Sequence, residues 1–181
     1  MDANFNLMDL VRPAYAVGVL GIIVEWRAYF QHNGWAFRRW SAMAALLWAG
    51  QYILLDAWTA ALTMASTALR SILSGRLETR SRRNWAAAGF IVFFVGLTYF
   101  SWQGSVSLLP AFAVINTSLA LFYLNNRWMR VALLFSSVAW LANDVYWLAW
   151  PAILAESVAV VINLRTIVSL FEFYKLTNQS D

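Results

Sequence analysis

Polar side chains inside otherwise apolar stretches are the residues of this sequence that could do chemistry. Glu156 and Asn163 lie seven residues apart in the last apolar stretch, so on a helix they share one face, two turns apart. A charged side chain at the centre of a bilayer costs roughly 2.5–3.5 kcal/mol on insertion scales, and such residues usually face a cavity or a partner. We therefore predict that Glu156 and Asn163 line a solute-binding cavity, in preference to forming a hydrogen bond between helices.

Asparagines in the two preceding apolar stretches add to this predicted binding set. Asn143 stands beside Asp144 near the outer end of the sixth stretch. We expect one of these two side chains to face inward, and the alternative for Asp144 is an interfacial position. Asn116 lies in the middle of the fifth stretch, at the level that a central site would occupy. The alternative for Asn116 is a contact between helices, which is the commoner role of such a residue.

Charged residues near the inner ends of three stretches predict a gate. Glu25 lies late in the first stretch, and Arg70 and Arg165 occupy matching late positions in the third and the seventh. An ion pair between Glu25 and either arginine would close the inner side of a carrier. The alternative is that Glu25 lies at the membrane interface and that both arginines extend to lipid phosphates, as long basic side chains near helix ends do.

The composition is typical of a membrane protein. Of the 181 residues, 61% are hydrophobic and only 12% are charged, whereas soluble domains have about 45–50% apolar and about 25% charged residues. The net charge of +4 comes from twelve arginines and one lysine, divided among several segments. We therefore predict that the chain contacts a lipid bilayer and binds no nucleic acid.

The same composition excludes most catalytic chemistry. The chain has no cysteine and a single histidine, which rules out thiolate sites, multi-histidine zinc sites and bis-histidine haem. No nucleophile–base pair, Walker loop or dinucleotide-binding motif occurs in it. We therefore predict that the protein is not an enzyme and uses no cofactor and no metal.

Polar breaks divide the chain into seven apolar stretches, and a transmembrane helix needs about 20 mostly apolar residues. The predicted fold class is all-α, a polytopic membrane protein with seven transmembrane helices in a single domain over residues 1–181. Because several stretches are short and the breaks after the second and sixth are tight, a six-helix count is the alternative. The predicted spans are residues 14–29, 40–55, 57–73, 85–102, 106–124, 128–147 and 151–174.

Basic residues alternate from side to side across these seven spans. Arginines concentrate in the connections between spans 1 and 2, 3 and 4, and 5 and 6, and Lys175 follows span 7. Cytoplasmic loops carry an excess of Lys and Arg, so the amino terminus is predicted outside and the carboxyl terminus in the cytoplasm. The amino-terminal segment lacks the basic region and cleavage site of a signal peptide, so we expect the first span to be retained.

Three short matches in the same order indicate an internal repeat, at offsets of 97, 88 and 95 residues. The chain is thus predicted to contain a three-helix repeat (13–75), a linker helix (84–102) and a second three-helix repeat (106–174). Because the repeat has an odd number of helices, one linker helix gives both halves the same orientation, a 3+1+3 plan known from transporters. The matched segments are 13–17 with 110–114, 39–40 with 127–128, and 69–72 with 164–167.

Three segments resemble the YgjV-type family of bacterial inner membrane proteins: LLDAWTAALTMASTALRSIL, LLPAFAVINTSLALF, and the stretch from AES to INL in the last span. By plan, the chain also resembles the SWEET, PQ-loop and KDEL-receptor group, whose members bind small solutes or peptides between two three-helix bundles. The family pattern carries an asparagine in the third and seventh spans, which implies Asn163 and its third-span counterpart Thr67 as binding residues. The resemblance also implies the bacterial inner membrane as the location.

Two functions are compatible with these features. The first is a small-solute transporter with a central polar site between two three-helix bundles. The second is a non-transporting membrane protein, such as an accessory subunit, a small-ligand receptor or a lipid-interacting scaffold. The small-residue face over residues 57–68 would also permit a homo-oligomer or a membrane complex as partner.

Overall fold

The computed structural model describes residues 7–31, 34–74, 80–124 and 126–177, which form seven α-helices, a short 3₁₀ helix and their connections, without a β-strand. The 3₁₀ helix, Ser105–Ser107, leads directly into the fifth α-helix. The α-helices are α1 (Leu7–Tyr29), α2 (Gly34–Leu54), α3 (Trp58–Ser74), α4 (Arg80–Phe100), α5 (Leu108–Tyr123), α6 (Asn126–Tyr146) and α7 (Trp150–Thr177).

The all-α class and the count of seven helices are confirmed over the described residues. The two tightest breaks are true helix ends, because Asp56 and Leu148 have positive φ angles of 60° and 52° and a right-handed helix cannot continue through such a residue. Helix α2 begins at Gly34 and α4 at Arg80, six and five residues before the predicted spans. Arginine favours helix, so these helices extend beyond their apolar parts into basic segments.

The helices pack mainly with their neighbours in the chain. Helix α2 packs along both α1 and α3, and α6 packs along both α5 and α7. Helix α4 packs on α5 and touches α3. The remaining larger contacts, between α1 and α7 and between α3 and α5, join the first three helices to the last three.

Alanines fill much of the helix interfaces, whereas many large apolar side chains lie on the outside. Every α-helix has exposed Leu, Ile, Val, Phe or Trp side chains, with exposed fractions between 38% and 87%, while a few such as Trp48, Phe94 and Trp140 are buried. This is the reverse of a soluble protein, whose core holds the large apolar residues. Close approach through small residues is typical of helices that pack inside membranes. The buried alanines of the first three helices are Ala14, Ala28, Ala42, Ala44, Ala45, Ala49, Ala57, Ala60, Ala61 and Ala68.

Judged by length and apolar character alone, one described helix could cross a membrane. That stretch is Trp150–Val168 of α7, and only 17% of it is buried within the protein. Two shorter apolar helical segments, Asn84–Phe100 and Ser105–Ala120, fall below the length of a full span.

Hydrogen bonds join the α2–α3 connection to the α4–α5 connection. Between α4 and α5, the Gln103 side chain donates from Nε2 to the backbone oxygen of Asp56, at 2.7 Å. The Thr59 hydroxyl at the start of α3 donates to the Ser101 backbone oxygen at 2.5 Å and lies 3.0 Å from the Ser107 hydroxyl. The first half is thereby tied to the α4–α5 connection through side chains that are at least partly buried.

Candidate functional site

The α2–α3 and α6–α7 connections have the same backbone structure. Ala57 N donates to Tyr52 O at 2.8 Å, and 92 residues later Ala149 N donates to Asp144 O at 2.9 Å. The neighbouring hydrogen bonds match in the same register, down to Trp58 N with Asp56 O and Trp150 N with Leu148 O. The one left-handed residue of each turn also occupies the same position. The two segments, 48–58 and 140–150, are therefore structural repeats.

The side chains of these two segments match in part. Each segment begins with a buried tryptophan, Trp48 or Trp140, and ends with an alanine followed by an exposed tryptophan. Three residues after the buried tryptophan, each has a fully buried amide, Gln51 or Asn143. This pattern of WAGQYILLDAW and WLANDVYWLAW, at one offset of 92, is a stronger repeat signal than the matches at 97, 88 and 95.

Equivalent positions of the two segments meet between α2 and α6. The Tyr52 hydroxyl donates to Asp144 Oδ1 at 2.5 Å, and both side chains are buried. The Tyr52 ring also stacks on Trp140, with ring centroids 6.0 Å apart. Asn143 donates from Nδ2 to the same Asp144 oxygen, at 3.3 Å. The second oxygen, Oδ2, is enclosed and has no hydrogen-bond partner among the described residues.

Gln51 lies where α1, α2 and α7 come closest together. A Cβ atom at Gly18 of α1 would stand 2.7 Å from both Gln51 Cδ and Pro151 Cβ, so only glycine leaves room for them. Gln51 is 0% exposed. Neither its Oε1 nor its Nε2 atom finds a partner within the described part of the chain. A buried amide without hydrogen bonds is costly, so we expect a water molecule or a polar group of a ligand to bond to this one.

Glu156 extends this site along α7. It lies six residues after Trp150, roughly 9 Å into the helix at 1.5 Å per residue. Ser137 of α6 hydrogen-bonds to its carboxyl group, and Asp144 and Glu25 lie within electrostatic range. Its Oε2 atom is enclosed and has no partner in the described ranges. The polar cluster is defined here as Gln51, Tyr52, Asn143, Asp144 and Glu156.

Two of the five predicted binding residues, Asn143 and Glu156, belong to the polar cluster. The other three make contacts elsewhere. Asn116 donates to Ala132 O at 2.6 Å and to the Ser136 hydroxyl, joining α5 to α6. Asn163 donates to the backbone oxygen of Arg130 at 2.9 Å, so it joins α7 to α6. The Thr67 hydroxyl donates to Thr63 O of its own helix, at 3.0 Å.

The three predicted gate residues have different surroundings. Glu25 accepts a hydrogen bond from Trp48 Nε1 at 3.1 Å. It also interacts electrostatically with Glu156 of the polar cluster. Arg70 is buried and donates to the Ser118 hydroxyl of α5 at 2.6 Å. Arg165 is exposed. Arg70 therefore works as a link between α3 and α5.

The predicted binding set did not include Gln51 and Tyr52, and for Asp144 the sequence left an inward and an interfacial position open. The available signal was the WAGQYILLDAW repeat, which puts Tyr52 and Asp144 at equivalent positions. Over the described residues, no three His, Cys, Asp or Glu side chains are grouped closely enough to hold a metal ion. The polar cluster itself contains hydrogen-bonding groups, two carboxyl groups and the Tyr52 ring.

An all-helical molecule with small residues inside, large apolar residues outside and a buried polar cluster is the type expected of a membrane protein. The chain belongs to the Imp-YgjV family of bacterial inner membrane proteins, whose family model matches residues 13–173. It is similar to "Inner membrane protein YgjV" of Escherichia coli (strain K12), with 26% identity over 134 residues, which are 74% of this chain and 70% of that protein. No solved structure matches.

Proposed function

We propose that the protein is a small-solute transporter whose seven helices span the inner membrane, with the polar cluster as its central binding site. The observation that carries this proposal is that four of the six enclosed polar atoms without partners among the described residues belong to the polar cluster: both amide atoms of Gln51, Asp144 Oδ2 and Glu156 Oε2. The other two are Asn163 Oδ1 and Arg130 Nε. Each such atom costs free energy when it is buried alone. Intramembrane polar residues of this kind mark solute or ion pathways.

The position of the cluster supports transport. It joins α2 of the first three helices to α6 and α7 of the last three, and Gly18 brings α1 against it. We propose the 3+1+3 plan, in which α1–α3 and α5–α7 are two bundles and α4 is the linker. The repeated turn at an offset of 92 favours that plan. Rocking of one bundle against the other would then expose the cluster to each side in turn.

The outer surface supports a multi-pass arrangement. Large exposed apolar side chains occur on all seven helices, and a soluble monomer rarely exposes apolar patches beyond a few hundred Å². The arginine-bearing helix ends, at the α1–α2, α3–α4 and α5–α6 connections, would lie in the cytoplasm. The repeated turns and the polar cluster near them would then lie toward the outer face.

A second function, that of a lipid-interacting scaffold, is favoured by a groove on the other side of the molecule. The Arg27 guanidinium lies 5.8 Å from the ring centroid of Trp40. Beside this pair is an open apolar groove lined by Ile23, Val24, Trp26, Arg27, Phe30 and Trp40. Such a groove suits a phospholipid. The lipid phosphate would lie at Arg27, and an acyl chain would lie along the apolar side chains.

The transport proposal is tested with purified full-length protein in liposomes. Uptake of labelled sugars, nucleosides, amines and vitamins is measured for wild type, for Gln51→Leu, and for Asn116→Ala as a buried-amide control outside the cluster. We expect at least one solute to enter wild-type vesicles above empty ones. Uptake by Gln51→Leu is expected to be about tenfold lower, which corresponds to the free energy of one buried hydrogen bond. Asn116→Ala is expected to retain the wild-type uptake.

Two results would count against transport. One is a wild-type uptake equal to that of empty liposomes for the whole panel. The other is uptake that falls equally in both variants, because the loss would then follow stability and not the polar cluster. Co-purification of tightly held phospholipid that is lost in Arg27→Ala would favour the scaffold function in either case.

A further inference from the structure

We infer that the ligand of the polar cluster is a small organic cation that carries N–H donors, such as a primary ammonium compound. This inference rests on the proposed function and names its substrate class. It is argued from the charge around the cluster, from its unused acceptors, from its aromatic surface and from the spacing of its carboxyl groups.

The charge around the cluster is acidic. Asp144 interacts with Tyr52 and Asn143, and Glu156 interacts with Ser137, Asp144 and Glu25. None of these groups is a cation. The buried arginine Arg70 bonds instead to Ser118 and to the Val114 backbone oxygen of α5. Two carboxyl groups that share a site of low dielectric constant favour a positively charged ligand.

The unused hydrogen-bonding atoms are mostly acceptors. Gln51 Oε1 is an acceptor, and an ionised carboxylate makes acceptors of Asp144 Oδ2 and Glu156 Oε2 as well. Gln51 Nε2 is the single unused donor of the polar cluster. An ammonium group offers three donors and no acceptor. A neutral polyol offers donors and acceptors in similar number and leaves more of this set unmatched.

Buried aromatic rings lie beside the polar cluster. Tyr52 stacks on Trp140, and the Trp48 indole donates to Glu25. All three aromatic side chains are buried. The face of a tyrosine or tryptophan attracts a cation, and this attraction grows when water is excluded.

The spacing of the carboxyl groups favours an extended organic ion over a metal ion. Metal ions of biological use need several oxygen or nitrogen ligands at about 2–2.6 Å from one point. No such grouping of three acidic or histidine side chains exists in residues 7–31, 34–74, 80–124 and 126–177. Asp144 near the end of α6 and Glu156 farther along α7 could instead bind different parts of one ligand.

The test is thermal unfolding of the purified full-length protein in lipid nanodiscs. The probes are ethanolamine and putrescine, each paired with its neutral isostere, ethylene glycol or 1,4-butanediol, at constant ionic strength. We expect the amines to raise the unfolding temperature in a saturable way and the neutral partners to leave it unchanged. Asp144→Asn and Glu156→Gln should each weaken the apparent affinity by about thirtyfold or more, as loss of one partner of a buried charge pair does.

Asn163→Ala is the matched control, because that amide joins α7 to α6 outside the cluster. It should keep the amine affinity of wild type while lowering the baseline unfolding temperature. Glu156→Gln is nearly isosteric and partly exposed, so it keeps the test decisive if Asp144→Asn does not fold.

The cation inference is overturned if sodium chloride alone gives the same shift, if no amine shifts wild type, or if the neutral isosteres shift it equally. In the last case, loss of that shift in Glu156→Gln would keep the polar cluster as a solute site and leave the transport proposal standing. Failure of the proposed function is distinguishable, because it is measured in the liposome panel, either as no uptake or as an equal loss in Gln51→Leu and Asn116→Ala.

Discussion

The segments 48–58 and 140–150 have the same backbone structure but different polar side chains. At equivalent positions, the first carries Tyr52 and the second carries Asp144, and these two side chains bond to each other. If the segments were identical in sequence, two tyrosines or two carboxyl groups would meet there. Their difference converts a contact between equivalent positions into a donor–acceptor pair. The polar cluster thus depends on divergence of a repeated element, while the turn itself is kept.

The residues just after the two turns differ as well. Thr59 is the second residue of α3 and binds the α4–α5 connection. Its backbone N–H donates to Gln103 Oε1 at 3.3 Å, and its hydroxyl group donates to the Ser101 backbone oxygen. The equivalent residue of α7 is Pro151, which packs against Gly18 and Gln51. One repeat is therefore held by polar bonds and the other by close apolar contact. This comparison suggests where substitutions should act differently on the two halves.

The largest effect is expected from Gly18→Ala, which acts on the close contact of α1 with Gln51 and Pro151. The added Cβ would lie 2.7 Å from both Gln51 Cδ and Pro151 Cβ, so α1 must move or Gln51 must turn. We expect a destabilisation of about 3 kcal/mol, the upper range for overpacking. It is measured as a lower thermal unfolding temperature in detergent. Gly96→Ala, where nothing lies within 4 Å, should be neutral or stabilising by up to about 1 kcal/mol; equal losses in both variants would contradict the close contact.

A smaller effect is expected from exchanging the donor and acceptor. Tyr52→Asp and Asp144→Tyr should each destabilise, because the first pairs two carboxyl groups and the second pairs two phenols. The double variant rebuilds the bond in the opposite direction. It should recover about 1–2 kcal/mol relative to the sum of the single changes. The measurement is a double-mutant cycle of unfolding temperatures.

Additive single changes in that cycle would show that the two positions are not equivalent. A control cycle combines Tyr52→Asp with Asn116→Ala, whose amide bonds to α6 elsewhere. Coupling in the control cycle should be near zero, because distant sites with no shared partner are additive.

The smallest effect is expected at the left-handed residues of the turns. Leu148 has φ 52°, which glycine adopts without strain, so Leu148→Gly should stabilise by about 1 kcal/mol. Asp56→Gly should change little. Aspartate tolerates this conformation better, and its Oδ1 accepts a hydrogen bond from Trp58 Nε1 that glycine would lose. A shift of the same size and sign in both variants, measured by thermal unfolding, would mean that the two turns do not differ in strain.

The sequence predicted the helices well because their main signal, a run of apolar residues between polar breaks, is local. The starts of α2 and α4 were placed too late because a helix does not end where its apolar part ends. The site was harder to predict. Glu156 and Asn163 share one face of α7, but they have different neighbours on α6. Glu156 hydrogen-bonds to Ser137, and Asn163 bonds to the backbone oxygen of Arg130. Helical periodicity indicates a face and does not identify the neighbour that covers it.

Gln51 and Tyr52 show a second limit. Both stand near the end of a predicted span, where polar residues are ordinary, so their burial by α1, α6 and α7 is a tertiary property. Comparing the two halves at an offset of 92 would have identified them, since Trp48 aligns with Trp140 and Trp58 with Trp150. The matches at 88 and 95 lie in the same helix pairs as these segments, α2 with α6 and α3 with α7, so they are out of register with the structural repeat.

The uneven apolar character of the helices has a consequence for biogenesis. Of the described helices, α7 has the one stretch long and apolar enough to enter a membrane unaided. Helix α6 brings Asn143 and Asp144 with it, and their neighbours Tyr52 and Glu156 lie on other helices. In the proposed membrane topology, α6 is therefore expected to leave the translocon together with α7 as a hairpin. A nascent chain cut before α7 would lack Pro151 and Glu156, the residues that α7 contributes around the polar cluster.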